Sequence, residues 1–397
     1  MTKPPVRRPS LVSYADRPIS RGIVTPASAF GPPSEGGGGG NMAKYKAARS
    51  AVLAGTRFGR VLCTGDSTTG AHGALTNGTL NGAFPLSYPA DMAANLTANG
   101  LPARSCSMGD ANTATIAGYV AYDARNSFGA GVGWAIQAAA SIGAGLIRAG
   151  STTVDRWIKS FSGTWDTIEI VYINIAAGNC SVFIDGGVSA VGGFAPTAGG
   201  GTTGTPQRAT ITVPRGVHST VEILRNSGTN IYISSVEVYD SQNKEMLVYN
   251  CGWASAKSTD LVMADATYRT LNMIQFMQPD LMILNIGIND YPTASQATFE
   301  ANVTQLVNRA RLTGDVVLNV PNPRSFTANQ AAFRGYIQGL AVSLNTPLID
   351  LQLAPPAGLG DYATASGNGD INIDGIHPTG QGYGKMGAFN AQLLLAA

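Results

Sequence analysis

The stretch RVLCTGDSTTG, residues 60–70, runs a short apolar segment into Gly65-Asp66-Ser67 and then into small polar residues. Such a segment reads as a buried strand that hands over to a helix through a serine. A parallel sheet carries its chemistry beyond the carboxyl ends of its strands, and Ser67 lies at such an end. The residue could be a turn residue, a helix cap or a nucleophile. A serine hydroxyl is a weak nucleophile and needs an adjacent base. The chain has only three histidines. His218 falls in a β-rich region and His72 in a Gly/Ala loop. His377, in DGIHP, has Asp374 three residues before it. One loop turn can then present both side chains, with Asp374 orienting the imidazole and His377 facing the serine.

Outward from this point the chain changes texture several times. AKYKAARSAVLAG reads as a helix, and YPADMAANLTANG as a second helix stopped by Gly100. From about 110 to 245, TIEIVYINI, CSVFIDGG, ATITVP, STVEILRNSG and NIYISSVEVYD are β-rich runs separated by Gly, Pro and Asn. Several alternate with period two, which predicts an antiparallel sandwich. From about 246, MLVYN, DLMILNI, DVVLNV and PLIDL read as strands. The helical segments FEANVTQLVNRA and AAFRGYIQGLAVSL are set between them, and GQGYGKMGAFNAQLLLA closes the chain. Short apolar strands alternating with helices argue for a parallel sheet covered on both faces. The expected architecture is a three-layer α/β/α domain interrupted by an inserted antiparallel, jelly-roll-like β-sandwich. Its parts are an extended arm over 1–41, α/β segments at 42–109 and 246–397, and the insert at 110–245.

At 397 residues the chain can bury a large core. The net charge of +2 supplies no field for nucleic acid. It is unevenly placed: Lys3, Arg7, Arg8, Arg17 and Arg21 against Asp16 and Glu35 give the first 41 residues +3, and the remainder −1. That arm is proline-rich, ends in five glycines and shows no helical or alternating period, so it should not fold alone. The N-terminus runs into no apolar segment of a secretory signal. The most apolar run, WAIQAAASIGAGLI (134–147), is too short to span a membrane. The four cysteines lack zinc-site spacing and are too few to staple such a chain.

Four short blocks now stand in order: Gly65-Asp66-Ser67, Asn250-Cys251-Gly252, Gly287-Ile288-Asn289-Asp290 and Asp374-Gly375-Ile376-His377. Together they resemble the signature blocks of the SGNH (GDSL) hydrolases. The resemblance covers roughly 55–110 and 246–395. It implies that Ser67 attacks an ester carbonyl, that His377 carries the proton to the leaving alcohol, and that Asp374 holds the imidazole tautomer. It also implies an oxyanion hole made by the N–H groups of Ser67 and Gly252 and the Asn289 amide. Gly109, in CSMGD after a helix and a short strand, also resembles the second block. Gly252 is preferred because it precedes Gly287 by 35 residues, whereas Gly109 precedes it by 178 with the insert between. Trp253, Asp66 and Asp290 are candidates for the substrate pocket. Asp66 is the one more suited to bracing its loop.

Other motifs weigh less. The elbow G-x-S-x-G is absent, since Thr69 stands at its last position. CTGDSTTG lacks the Lys of a phosphate loop. DINIDG (370–375) opens like a calcium loop, with Asp370, Asn372, Asp374 and Gly375, but its twelfth position is Gln381. No metal or cofactor is expected. FGAGVGW reads as a sandwich turn. Trp157, Phe161, Trp165, Tyr172 and Tyr232 of the insert are either core or a sugar-stacking face. SGNH domains with an inserted sandwich resemble esterases that act on polysaccharides, including those of phage tails. The expectation is therefore a serine esterase that removes O-acetyl groups from a bacterial surface polysaccharide, borne on a virion or phage-like particle through its arm and acting outside the cell. The alternatives are a lipase or thioesterase of the same superfamily, or a carbohydrate-binding adsorption protein with an idle triad. Neither the sugar nor the oligomeric state, a homo-oligomer included, is legible.

Overall fold

The computed structural model describes residues 42–397, apart from 76–82, 109–114, 130–132, 151–154, 200–203, 229, 292 and 326–327. The N-terminal arm, Gly109 and part of FGAGVGW lie outside the described residues. Among the described residues, the parallel sheet has six strands: β1 (Gly59–Gly65), β2 (Ala103–Ser107), β13 (Met246–Gly252), β14 (Leu281–Asn285), β15 (Asp315–Val320) and β16 (Leu348–Asp350). Their order is β16-β15-β14-β1-β13-β2, with every pairing parallel. The chain leaves β1 toward one edge and returns to build the other, so the direction of winding switches at β1, where ligand crevices form.

Period-two alternation sorts the strand residues onto two faces. Leu62, Leu247, Met282 and Leu284 pack with α5 (Thr270–Met277), α6 (Gln296–Arg311) and α7 (Ala328–Ser343). Val61, Cys63, Val248 and Ile283 pack on the opposite face with α1 (Ala43–Leu53), α2 (Tyr88–Ala98) and α9 (Gly380–Ala396). α6 buries Phe299, Val303, Leu306 and Ala310, the face expected from spacing. α2 starts with Pro89 in its first turn and Ser87 accepting the Ala90 N–H, and Gly100 follows it at φ +86°.

Among the described residues, the insert runs from α3 (Ile116–Tyr122) through ten strands: β3 (Asn126–Phe128), β4 (Trp134–Ser141), β5 (Ala144–Ala149), β6 (Trp157–Ser160), β7 (Thr164–Asn174), β8 (Gly178–Ile184), β9 (Gly192–Phe194), β10 (Thr205–Val217), β11 (Thr220–Gly228) and β12 (Ile231–Tyr239). They form two five-stranded antiparallel sheets, β10-β7-β12-β5-β4 and β3-β6-β11-β8-β9. The apolar run 134–147 is the β4–β5 hairpin, and no helix among the described residues is long and apolar enough to cross a membrane. Trp157 and Trp165 are core residues of the sandwich, each 1 % exposed, so neither offers a stacking face. Phe161, Tyr172 and Tyr232 are half-buried.

The sandwich is seated on the α/β domain through β7 and β12. Val171 and Tyr239 join the helical-face core of the parallel sheet. Glu169 meets Arg60 of β1 and Arg208 of β10 at 3.4 and 3.1 Å. Glu237, directly opposite Glu169 in the ladder, accepts from the Ser107 N–H at 2.9 Å and pairs with Lys159 at 2.9 Å.

Candidate active site

The ends of β13, β1 and β14 are level: Gly65 is in register with Gly252 on one side and Asn285 on the other. Ser67, Trp253 and the segment 287–290 therefore emerge from one edge of the sheet. The fourth block arrives from β16 and α8 (Tyr362–Gly367) in the loop that precedes α9. α9 is capped by Thr379, two residues beyond His377; the Thr379 side chain accepts the Gly382 N–H. Ser67 and His377 meet from 310 positions apart.

His377 Nε2 lies 2.9 Å from Ser67 Oγ, and His377 Nδ1 lies 2.6 Å from Asp374 Oδ2. The carboxylate fixes the proton on Nδ1, which leaves Nε2 to accept from the serine hydroxyl. Asp374 Oδ1 also accepts the N–H groups of Ile376 and His377, at 2.9 and 3.0 Å. Burial pushes this carboxyl up, but the bonds from the His377 ring and the two N–H groups outweigh it, so its pKa lies below the ordinary value. The other histidines stand apart from this relay. His218 sits between Asp185 and the Pro214 carbonyl in the sandwich. His72 lies beside the site, its ring 5.9 Å from that of His377.

Asp66 and Asp290, expected at the substrate pocket, are fully buried and line no open surface. Asp66 Oδ1 accepts from the Thr68 N–H and hydroxyl at 2.9 and 2.7 Å, bracing the serine loop. Burial pushes its pKa up to about 7. Asp290 accepts from the N–H and hydroxyl of Ser258, and burial raises its pKa as well. Trp253 is half-buried and packs against the helical-face core.

Of the expected oxyanion donors, the Ser67 N–H has no partner among the described residues. The Gly252 N–H donates to Asn250 Oδ1 at 3.0 Å, and Asn250 is itself held by the Tyr122 hydroxyl at 3.2 Å. Asn289 gives one amide hydrogen to the Ala256 carbonyl at 3.1 Å. A Cβ on Gly252 would stand 2.2 Å from the Gly70 nitrogen, so this glycine is required by close approach of the serine loop.

The calcium-loop likeness of DINIDG dissolves in the structure. Asp370 pairs with Lys385 at 2.7 Å, Asn372 donates to the Gly73 carbonyl, and Asp374 serves His377. No cluster of metal ligands occurs among the described residues. Sequence reasoning named Asn250 only as a member of its block and Asn372 only as a calcium-loop position, and it passed over Ser258. Their signal was adjacency, each standing within a few residues of a signature block.

Fold and site together set a serine–histidine–aspartate relay at the carboxyl ends of a parallel α/β sheet that is interrupted by an antiparallel β-sandwich. Residues 216–385 match the GDSL-like lipase/acylhydrolase family. That match takes in the second, third and fourth blocks and leaves Ser67 outside, on the far side of the insert. No curated protein sequence matches the chain. Among solved structures, a peptidoglycan O-acetylesterase superposes with a TM-score of 0.61 at 16 % identity, covering 90 % of this chain and 98 % of its own. Similarity at that identity establishes the shared fold, insert included. An acetyl esterase (TM-score 0.29, 17 % identity, 39 % of this chain and 74 % of its own) and a family 6 carbohydrate-binding module (0.24, 8 %, 29 % and 86 %) match shorter portions.

Proposed function

We propose that the protein is a serine esterase that removes O-acetyl or other short acyl groups from a bacterial surface polysaccharide. The observation that carries the reading is the relay Asp374–His377–Ser67, with its distances of 2.6 and 2.9 Å. Ser67 Oγ attacks the ester carbonyl while His377 Nε2 takes its proton. The tetrahedral intermediate collapses as the imidazolium returns that proton to the departing sugar oxygen, leaving acyl-Ser67. Water, deprotonated by His377, then attacks the acyl carbon, and Ser67 regains its proton as the carboxylic acid departs. The Ser67 N–H and the second amide hydrogen of Asn289 are the donors available to the oxyanion. The Gly252 N–H joins them by exchanging Asn250 Oδ1 for the substrate oxygen.

The polysaccharide assignment is supported by the shared architecture, sandwich included, with a peptidoglycan O-acetylesterase. Acetate release from a panel of bacterial surface polysaccharides tests it. The parent should release acetate from at least one polymer and Ser67→Ala from none; an inactive parent would return the chain to the class of binding proteins. A p-nitrophenyl ester series separates the acetylesterase from a lipase, because rates should fall steeply as the acyl chain lengthens. The basic arm over 1–41 is proposed to attach the enzyme to a particle. Its deletion should abolish attachment and spare hydrolysis.

A further inference from the structure

The serine and histidine loops are joined by more than the relay. Three consecutive carbonyls just beyond Ser67 accept hydrogen bonds from the segment around His377. The His72 carbonyl takes the Tyr383 hydroxyl at 2.7 Å, that of Gly73 takes Asn372 Nδ2 at 2.8 Å, and that of Ala74 takes the Gly380 N–H at 3.1 Å. The His72 N–H in turn donates to the Ser67 carbonyl at 3.1 Å, so the stapled strip is tied to the serine itself.

Asn372 is the middle of this arrangement and uses every polar group it has. Its N–H donates to the His377 carbonyl at 2.8 Å, and its carbonyl accepts the Gly375 N–H at 2.9 Å. Its Oδ1 accepts the Ile373 N–H at 2.6 Å, and Nδ2 crosses to the serine loop. The residue is 7 % exposed. Gly73 adopts φ +74°, and a Cβ there would lie 2.6 Å from His377 Cβ, so the two loops touch where Asn372 bridges them.

We propose that Asn372 is a positioning residue that sets the reach of His377 to Ser67, an inference that rests on the esterase reading of the triad. Both polar atoms of its side chain are taken up by the two loops. Its carboxamide fixes the serine loop against the loop that carries both Asp374 and His377, and a small misplacement of reacting groups costs rate steeply.

The test is Asn372→Ser, with Asn372→Ala beside it. A serine oxygen can still accept the Ile373 N–H but is too short to reach the Gly73 carbonyl, so the histidine loop keeps its shape and loses its tie. On p-nitrophenyl acetate, kcat should fall about 10- to 100-fold with KM moving by less than about twofold. Labelling by an alkyl fluorophosphonate should slow in parallel, because the Ser67 Oγ–phosphorus bond forms, fluoride leaves and the proton passes to His377 without any sugar being bound. Gln381→Ala is the control. Gln381 bonds to Asn368 and Asp370 on the outer side of the same loop, and its loss should leave kcat unchanged. The proposal is overturned if Asn372→Ser keeps kcat and labelling within about threefold of the parent, or if the loss lies in KM. It is also overturned if Gln381→Ala loses as much. A parent that is labelled but hydrolyses no ester would remove the esterase reading alone, and the labelling rates would still decide the role of Asn372.

Discussion

At Asp374 one carboxylate faces two ways, Oδ2 to the His377 ring and Oδ1 to two backbone N–H groups. Asparagine in its place keeps the shape but can direct an amide hydrogen at the ring and impose the wrong tautomer. Asp374→Asn should therefore lower kcat by about 10⁴-fold while the protein remains folded, measured on p-nitrophenyl acetate with a thermal melt alongside. Asp66 is a carboxylate of the opposite kind. It titrates near 7 in the folded protein because burial disfavours its charge, whereas unfolded it returns to about 3.9. Between those values the unfolded chain holds fewer protons at this site, so its contribution to stability is fully present below about pH 4 and is lost as pH rises through about 7. Asp66→Asn has no such proton to lose. Its melting temperature should gain on the parent steadily from pH 4 to 7 and then level off, and a gap independent of pH would contradict the buried-acid account. The Ser67, Asp374 and His377 constellation was legible from residue types and order. Asn372 was not, because its partner is a backbone carbonyl 299 positions away and carbonyls leave no mark in a sequence.

Elements were legible where one pattern governed them. α6 shows its buried stripe in spacing alone, and β14 is an apolar run fully buried in the sheet. WAIQAAASIGAGLI, too short to span a membrane, folds as a hairpin that turns at Gly143, φ +76°, and its Trp134 and Ile147 belong to the sandwich core. The second-block glycine was expected for its N–H. In the structure its missing Cβ matters first, because β13 and the serine loop pack backbone to backbone there. Gly252→Ala separates the two reasons, since alanine retains the N–H. If contact governs, the variant should lose about 10²-fold in kcat and melt earlier as the serine loop is displaced. Near-parental kcat in that variant would restore the N–H as the glycine's sole purpose.

Across the whole molecule, the insertion of the sandwich was legible from the change of texture, but its seat on the hydrolase domain was not. Alternation along β7 assigns Glu169 to the side facing away from the sandwich core, which in an isolated sandwich would face water. Here that side is covered, and Glu169 and Glu237 are 3 % and 2 % exposed. Two glutamates directly opposite in a ladder repel unless each has its own cation. Arg60 and Arg208 serve the first, and Lys159, itself 2 % exposed, serves the second. Glu237 also holds the Ser107 N–H at the end of β2, so removing its cation strains both the sandwich and the edge of the parallel sheet. Lys159→Met keeps the volume and strands the carboxylate, a change that typically destabilises by about 3–5 kcal/mol. Because the damage falls on the shared interface, both parts should fail together. In urea, the tryptophan fluorescence of the sandwich core and fluorophosphonate labelling of Ser67 should shift to lower midpoints by the same amount. A variant whose sandwich unfolds early while Ser67 still labels at the parental rate would mean that the two parts are only neighbours, and that the seat formed by β7 and β12 contributes nothing to the site.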